Sequence, residues 1–307
     1  MNYAGQIPEL FPGSTMNKYL RQILDLLLFS NIFIALCSVA QGLVTYQLLG
    51  VEPDKYVLGL LFCATLALYN FSILLSKPKK PERSVFRRVR WIFSHYRLMI
   101  TLTIIAVVSI LPLSFFLNTS SKILLIALAL ISVAYSLPIF TIHDKRFGLR
   151  NIPGVKLFLI ATVWALSCVL LPILEMESNN EISITLNDTI LLIAKRFLFI
   201  AAITVPFDIR DLFQDKSNEL KTIPVLLGEK TALLICQGLL LAYLILLFLF
   251  TDQFNSNFFA LTLTILLSGW LIFRSKWEKN EYYYFLYLDG TMILQFVMLL
   301  LFSSIPA

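Results

Sequence analysis

The chain has 307 residues, of which 58% are hydrophobic and 14% charged, and its mean hydropathy is +0.79. A water-soluble protein of this size cannot bury so large an apolar fraction, so the composition predicts a membrane protein. The formal net charge of +6 does not indicate nucleic-acid binding, because the basic residues are concentrated in short segments between apolar stretches.

Nine apolar stretches are long enough to cross a bilayer as α-helices, since a helical span needs about 20 residues. In chain order they are residues 20–49, 56–75, 98–117, 123–142, 155–174, 190–207, 231–250, 255–273 and 284–302. Backbone groups cannot stay unpaired in hydrocarbon, so these helices must pack on one another. We therefore predict an all-α membrane protein, with a single nine-helix domain over residues 1–307 and a polar tail over 1–18.

The distribution of Lys and Arg predicts the orientation of this bundle. With the N-terminus inside, every one of the 25 basic residues falls on the cytoplasmic side except Lys55, Lys122, Lys195 and Arg196. This asymmetry is typical of the positive-inside rule. We expect a multi-pass protein of a bacterial cytoplasmic membrane, with its N-terminus inside and its C-terminus outside.

The most basic connection, residues 76–97, is interpreted first as positive charge facing anionic lipid, with phosphate binding by Lys77 as the alternative. Its second half predicts an amphipathic helix at the membrane surface. The apolar residues of one helical face are Val85, Val89, Ile92, Phe93 and Tyr96. The arginines, which lie largely away from this face, are Arg87, Arg88 and Arg90.

The segment after the sixth span predicts a metal site. Asp208, Asp211 and Asp215 are spaced i, i+3 and i+7, which places them on one face of a continuing helix. Mg²⁺ binds to one or two carboxylates and prefers phosphate oxygens and water for its other positions, so this row could hold Mg²⁺ against a diphosphate. Arg210 and Lys221 could bind the same phosphates directly. A solvated acidic helix end is the alternative, although three carboxylates there oppose the helix dipole.

These aspartates, with the following Leu220-Lys221-Thr222-Ile223-Pro224-Val225-Leu226-Leu227-Gly228, resemble the second aspartate motif of the UbiA superfamily of intramembrane prenyltransferases. Tyr135-Ser136-Leu137-Pro138 is similar to that family's motif at the end of the fourth span. The resemblance implies a cytoplasm-facing cavity in which Mg²⁺ holds a prenyl diphosphate between two aspartate-rich motifs. Loss of pyrophosphate would leave an allylic cation, which an aromatic or other lipophilic acceptor captures. Asp208, Asp211 and Asp215 would then be the catalytic, metal-binding residues.

The chain departs from the family's first motif, which belongs at the cytoplasmic end of the second span. Asn70 matches the motif's asparagine and is a candidate substrate-binding residue, whereas Phe71, Leu74 and Pro78 stand at its aspartate positions. Three outcomes remain open. In the first, one metal acts at the second motif while Lys77 or a neighbouring lysine neutralises phosphate. In the second, the protein binds isoprenoid lipid or scaffolds a complex without turnover. In the third, the remaining aspartates are paired structurally with nearby basic residues.

Other polar residues give weaker indications. In the family's layout Lys145 lies on the active-site side, which makes it a second candidate for phosphate contact. Asp289 is an ionisable residue within the ninth span, so it should face the cavity or be paired. The four cysteines and two histidines show no disulfide framework or metal-ligand spacing. A small-solute transporter is the least favoured function.

Overall fold

A computed structural model describes residues 18–137, 140–142, 145–147, 154–217, 220–251, 254–276 and 278–304, with only the backbone described for 140–142, 145–147 and 217. In chain order its helices are α1 (Lys18–Phe29), α2 (Ile32–Leu49), α3 (Lys55–Leu75), α4 (Arg87–Ser94), α5 (Tyr96–Phe115), α6 (Thr119–Ser136), α7 (Val155–Ala165), α8 (Leu171–Ser178), α9 (Leu186–Arg210), α10 (Leu212–Ser217), α11 (Ile223–Leu227), α12 (Glu229–Leu249), α13 (Ser256–Phe273) and α14 (Gly290–Ser303). A 3₁₀ turn occupies Pro81–Arg83, and π-helical turns occupy Leu166–Leu170 and Tyr283–Leu288. Strands β1 (Phe140–Ile142) and β2 (Lys145–Phe147) pair antiparallel.

Nine helical segments in these ranges are long and apolar enough to cross a membrane, which confirms the predicted all-α bundle. They are Ile32–Leu49, Lys55–Leu75, Tyr96–Phe115, Thr119–Ser136, Val155–Ser178, Leu186–Arg210, Glu229–Leu249, Ser256–Phe273 and Tyr283–Ser303. The predicted amphipathic helix of the basic connection is α4, which leads directly into the third span.

The first predicted span, residues 20–49, is divided into two helices at Asn31. Asn31 has φ 68° and ψ 10°, a left-handed conformation that asparagine adopts more readily than most residues. The break separates α1 from α2, and α2 alone has the length and composition of a span. The Asn31 side chain is buried at the break, where it can reach neighbouring elements of the bundle.

The fourth predicted span, residues 123–142, ends earlier than expected, at Ser136. Leu137 has an extended backbone (φ −86°, ψ 139°), as expected for a residue before proline, because the proline ring disfavours a helical predecessor. Strand β1 follows where the prediction continued the helix. The span begins instead at Thr119, and Asn118 Oδ1 caps it by accepting from the Ser121 N–H at 2.8 Å.

Helix α9 lies in the core of the bundle and positions the candidate site at its C-terminal end. Its residues 199–203 are all buried, so every face of the helix is covered at that level. Helices α7 and α12 pack along it. The acidic segment that begins at Asp208 therefore follows directly from the packed core.

Arg196, which the orientation analysis places on the outer side, is buried within the bundle at 5% exposure. Its guanidinium donates to the backbone oxygen of Gln41 at 2.7 Å, to the Gln41 side-chain oxygen, and to Thr45 Oγ1 at 3.3 Å. Gln41 in turn donates to Gln295 Oε1 at 3.1 Å. Hydrogen bonds to uncharged oxygens thus satisfy this cation and connect α2, α9 and α14.

We expect Arg196→Met to destabilise the bundle, because Gln41 and Thr45 would lose their buried donor. A buried polar group left without a partner costs about 1–3 kcal/mol. The melting temperature of the purified protein should therefore fall by several degrees. Lys195→Met is the matched control, since Lys195 is only partly buried. Equal melting temperatures for the two variants would contradict this role of Arg196.

Candidate active site

A cavity of about 190 Å³ lies at the end of the bundle where α9 terminates. Elements α1, α2, α3, α4, α7, α9 and α14 and the π-helical turn before α14 all contribute to its wall. The cavity has a polar end and an apolar remainder. The polar and charged residues at its wall, apart from Thr204, are Asn31, Arg88, Lys156, Arg210, Asp211 and Asp289, and the aromatic ones are Phe33, Tyr69, Trp164, Phe207 and Phe285.

The second aspartate motif lies across the junction of α9 and α10. The helical hydrogen-bond pattern continues over this junction, from the Asp211 N–H to the Phe207 oxygen (3.0 Å) and from the Asp215 N–H to the Asp211 oxygen (2.8 Å). Of the three aspartates, Asp211 contacts the main cavity. Asp208 contacts an adjacent space of about 10 Å³, room for about one water molecule, together with Lys156 and Lys221.

Each aspartate of the motif has a partner within the protein. The buried carboxylate of Asp208 forms an ion pair with the Lys156 ammonium. Arg210 binds Asp211 in a bidentate manner, with Nε to Oδ1 and Nη2 to Oδ2 both at 2.8 Å. The carboxylate of Asp215 accepts from Thr222 Oγ1 at 3.2 Å. The alternative in which the aspartates pair with neighbouring basic residues therefore describes Asp208 and Asp211 in this structure.

The charge states of two aspartates differ because of these contacts. Burial opposes the charged form of Asp211, but the adjacent Arg210 guanidinium overcomes it and holds the pKa of Asp211 below its usual range. Burial raises the pKa of Asp215 to about 6, and repulsion from Asp208 and Asp211 adds to this effect. Asp211 is therefore ionised near neutral pH, and Asp215 is partly protonated just below it.

The side chains as placed do not form a magnesium site. In the described part of the chain, no group of three or more Asp, Glu, His and Cys residues lies close enough to hold a metal ion. Mg²⁺ at the second motif would have to displace Lys156 and Arg210 from their carboxylates. At the first motif, the apolar side chains of Phe71 and Leu74 offer no oxygen ligand, and Phe71 is exposed.

Three cations surround the polar end of the cavity: Arg88, Lys156 and Arg210. The Arg88 guanidinium donates to Asn31 Oδ1 and lies 4.4 Å from the centroid of the Phe285 ring. Arg210 lies over the same ring at 4.9 Å. Burial lowers the pKa of Arg88 to about 10, and repulsion from Arg210 contributes, so Arg88 still carries its charge at neutral pH.

The other predicted substrate-binding residues occupy different surroundings. Asn70 is fully buried and accepts from Asn31 Nδ2 at 2.7 Å. Lys77 does not line the cavity; its exposed ammonium lies over the rings of Phe93 (5.8 Å) and Tyr96 (5.2 Å). Lys221 is exposed beside the small space next to Asp208. The side chain of Lys145 lies outside the described residues.

Arg88 and Lys156 are site residues that were not predicted from the sequence. The helical projection places Arg88 largely away from the apolar face, whereas the structure packs its guanidinium against Phe285. Lys156 is counted in the sequence as a basic residue at the start of the fifth span, and its ion pair with Asp208 spans 52 residues. A basic residue one position inside an apolar span was the available signal, because such residues usually face a polar interior.

The family model named UbiA prenyltransferase family matches residues 93–287 of this chain. The chain belongs to the UbiA prenyltransferase family. This match covers α5 to α13, including the second aspartate motif, and extends into the π-helical turn that carries Phe285. No curated protein matches the chain in sequence.

Solved structures of UbiA proteins have the same fold. A UbiA homologue from Archaeoglobus fulgidus bound to GPP and Mg²⁺ has a TM-score of 0.63 at 14% identity, over 92% of this chain and 100% of that one. An apo UbiA homologue from Aeropyrum pernix K1 has a TM-score of 0.53 at 14% identity, over 90% and 95% of the two chains. A digeranylgeranylglyceryl phosphate synthase has a TM-score of 0.55 at 14% identity, over 92% and 98%.

Proposed function

We propose that this protein is a UbiA-type membrane prenyltransferase, which transfers a prenyl group from a prenyl diphosphate to an aromatic or other lipophilic acceptor. One observation carries this function: the cavity joins a cationic end, with Arg210 and Lys156, to an apolar wall rich in aromatic rings. A prenyl diphosphate has the same division between an anionic head and an apolar chain. The similar structures bound to GPP and DMAPP support this class of substrate.

The cationic end would stabilise the departing pyrophosphate. Arg210 is held in a bidentate contact by Asp211, and Lys156 is held by Asp208, so both cations are oriented before substrate arrives. Such preorganised charge lowers the energy of a leaving group most effectively in a site that excludes water. Asp208 and Asp211 would thus position the cations, with Lys221 and Asn70 at the margins of the site.

The aromatic wall would stabilise the allylic cation that remains. The rings of Trp164, Phe207 and Phe285 line the cavity, and aromatic faces attract a cation within about 6 Å. A volume of about 190 Å³ is below the roughly 300–1,000 Å³ typical of ligand pockets, so a long prenyl chain would extend beyond the cavity. The surrounding lipid is an apolar medium suited to such a chain.

The proposed function also concerns the membrane in which the protein lies and the binding of divalent metal ions. The chain is a multi-pass integral membrane protein, and the positive-inside distribution supports a cavity that opens toward the cytoplasm of a bacterial cell, with the N-terminus inside. Related structures hold Mg²⁺ or Cd²⁺, which supports divalent-metal use elsewhere in the family. By position Asp208, Asp211 and Asp215 would be the ligands, but their internal contacts oppose a metal here.

A non-catalytic protein that binds isoprenoid lipid, or scaffolds a membrane complex, is the second candidate. The observation that favours it is the loss of the first motif, where Phe71, Leu74 and Pro78 replace carboxylates. It predicts saturable binding of prenyl diphosphate with no turnover.

The deciding experiment is an assay of the purified full-length protein with a prenyl diphosphate and a panel of aromatic and lipophilic acceptors. We expect pyrophosphate release coupled to a prenylated product. The double variant Asp208→Ala, Asp211→Ala should lose this activity, because Lys156 and Arg210 would lose the contacts that hold them. Activity in the double variant equal to the parent would contradict the role given to these aspartates, and saturable binding without product would favour the second candidate.

A further inference from the structure

Of the three cations at the polar end of the cavity, two form close ion pairs, whereas Arg88 is attracted by Asp289 and Glu281 from a longer distance. Lys156 is paired with Asp208 and Arg210 with Asp211. Among the described residues, no carboxylate lies within ion-pair distance of the Arg88 guanidinium, whose hydrogen-bond acceptor is the neutral amide of Asn31. Arg88 Nε is buried and has no hydrogen-bond partner in the described part of the chain. A buried, unsatisfied donor on a charged group at a cavity wall indicates a site for an anion.

Arg88 lies next to the remnant of the first aspartate motif. Asn70, which stands at that motif's asparagine position, accepts a hydrogen bond from Asn31 Nδ2 at 2.7 Å, and Asn31 Oδ1 accepts from Arg88. Two hydrogen bonds therefore connect the Arg88 guanidinium to the residue from which the missing carboxylates would have followed. Asn70 Nδ2 is also buried without a partner among the described residues, so this edge of the site holds two unsatisfied donors.

Several contacts hold helix α4 so that Arg88 is directed to the cavity. The backbone N–H of Arg88 donates to Glu281 Oε2 at 2.9 Å, and the neighbouring Arg87 forms an ion pair with the buried Asp25. Asp25 also accepts from the Tyr282 hydroxyl, which ties α1 and α4 to the segment before α14. An arginine held in this way loses little conformational entropy when it binds a phosphate.

The loss of the first motif's carboxylates and the presence of the Arg88 guanidinium both favour binding of a diphosphate without a metal ion. Carboxylates assist diphosphate binding only while a metal ion lies between the two anions, and without the ion they repel it. Apolar Phe71 and Leu74 remove that repulsion, and Arg88 adds a donor fork suited to phosphate oxygens.

We propose that Arg88, together with Lys156 and Arg210, binds the diphosphate of the substrate directly, so that this protein binds prenyl diphosphate without a divalent metal ion. This inference rests on the proposed function, because it assigns the diphosphate of that substrate to the cationic end of the cavity. Arg88 occupies the side of the site where the first aspartate motif is lost.

The test is calorimetric titration of the purified full-length protein with geranyl diphosphate and with inorganic pyrophosphate, in EDTA and in Mg²⁺. We expect the dissociation constant for each probe to differ by less than threefold between the two conditions. Arg88→Gln should weaken binding at least tenfold, which corresponds to about 1.4 kcal/mol. Arg90→Gln is the matched control on the same helix, since Arg90 is exposed and does not line the cavity; it should stay within twofold of the parent.

Binding that disappears in EDTA and returns with Mg²⁺ would overturn the inference, as would no binding in either condition or parental affinity in Arg88→Gln. The first comparison uses the unaltered protein, so it stands even if Arg88→Gln fails to fold. Prenyl transfer measured on the same preparation separates the two hypotheses. If EDTA abolishes both transfer and binding, the proposed function is retained and direct binding is overturned. Metal-independent binding without any transfer would retain direct binding and contradict the proposed function.

Discussion

Lys156→Met is expected to lower the free energy of unfolding by about 3 kcal/mol or more, because it leaves the Asp208 carboxylate buried and unpaired. Asp208 has 4% side-chain exposure, and Lys156 is the cation paired with it in the described part of the chain. Methionine approximates the length and apolar stem of lysine, so the substitution removes mainly the charge. Thermal unfolding in detergent, followed by intrinsic fluorescence, would measure the effect.

The double variant Lys156→Met, Asp208→Asn provides the control for this prediction. It removes both charges, so most of the lost stability should return, while binding of pyrophosphate should remain weaker than in the parent. A single variant Lys156→Met as stable as the parent would contradict the ion pair. A loss of stability in the double variant equal to the sum of the losses in the two single variants would show that the two side chains do not act as a pair.

Arg210→Gln is expected to reduce prenyl transfer by about 100-fold or more in kcat/KM. Loss of a hydrogen bond to a charged group costs about 1.5–3 kcal/mol, and the freed Asp211 carboxylate would then repel the diphosphate. The guanidinium of Arg210 also lies over Phe207 and Phe285, so glutamine would loosen the aromatic wall as well.

Arg210→Lys distinguishes charge from geometry at this position. Lysine retains the positive charge but cannot hold Asp211 through two parallel hydrogen bonds, so we expect it to recover only part of the activity. Arg274→Lys is the matched control, because Arg274 is exposed and stacks on Trp270 away from the cavity. Full activity in Arg210→Gln would remove this arginine from the mechanism.

The fold could be predicted from sequence almost completely, because the bilayer imposes strong and simple rules on length and hydropathy. The boundaries that were wrong have local causes. Asn31 adopts a left-handed backbone conformation, which breaks the helix without any change in hydropathy. Leu137 precedes a proline, which ends the helix although the following residues are still apolar. Arg196 was counted on the outer side of the membrane, and this count gave no information on whether its side chain is buried in the bundle.

The sequence and the structure place some candidate site residues together and separate others. The motif of Asp208, Asp211 and Asp215 lies at the end of the bundle that holds the cavity, and Arg210 and Asp211 line this cavity. The roles of these residues in binding and catalysis stay predictions. Lys77 was a reasonable choice as the first cation after the degenerate motif, yet its ammonium packs on aromatic rings. The cation that reaches the cavity from that connection is Arg88, whose orientation depends on contacts with distant parts of the chain.

Sequence by itself determined that this is a nine-span, all-helical membrane protein of the UbiA type, because hydropathy, charge asymmetry and one local motif are properties of consecutive residues. Only the tertiary structure decided that Lys156 and Arg210 pair with the motif's aspartates and that Arg88 joins them. Arg88 and Lys156 come from helices far apart in the chain, yet both line one cavity and both attract Asp211, a proximity in space that no sequence spacing encodes.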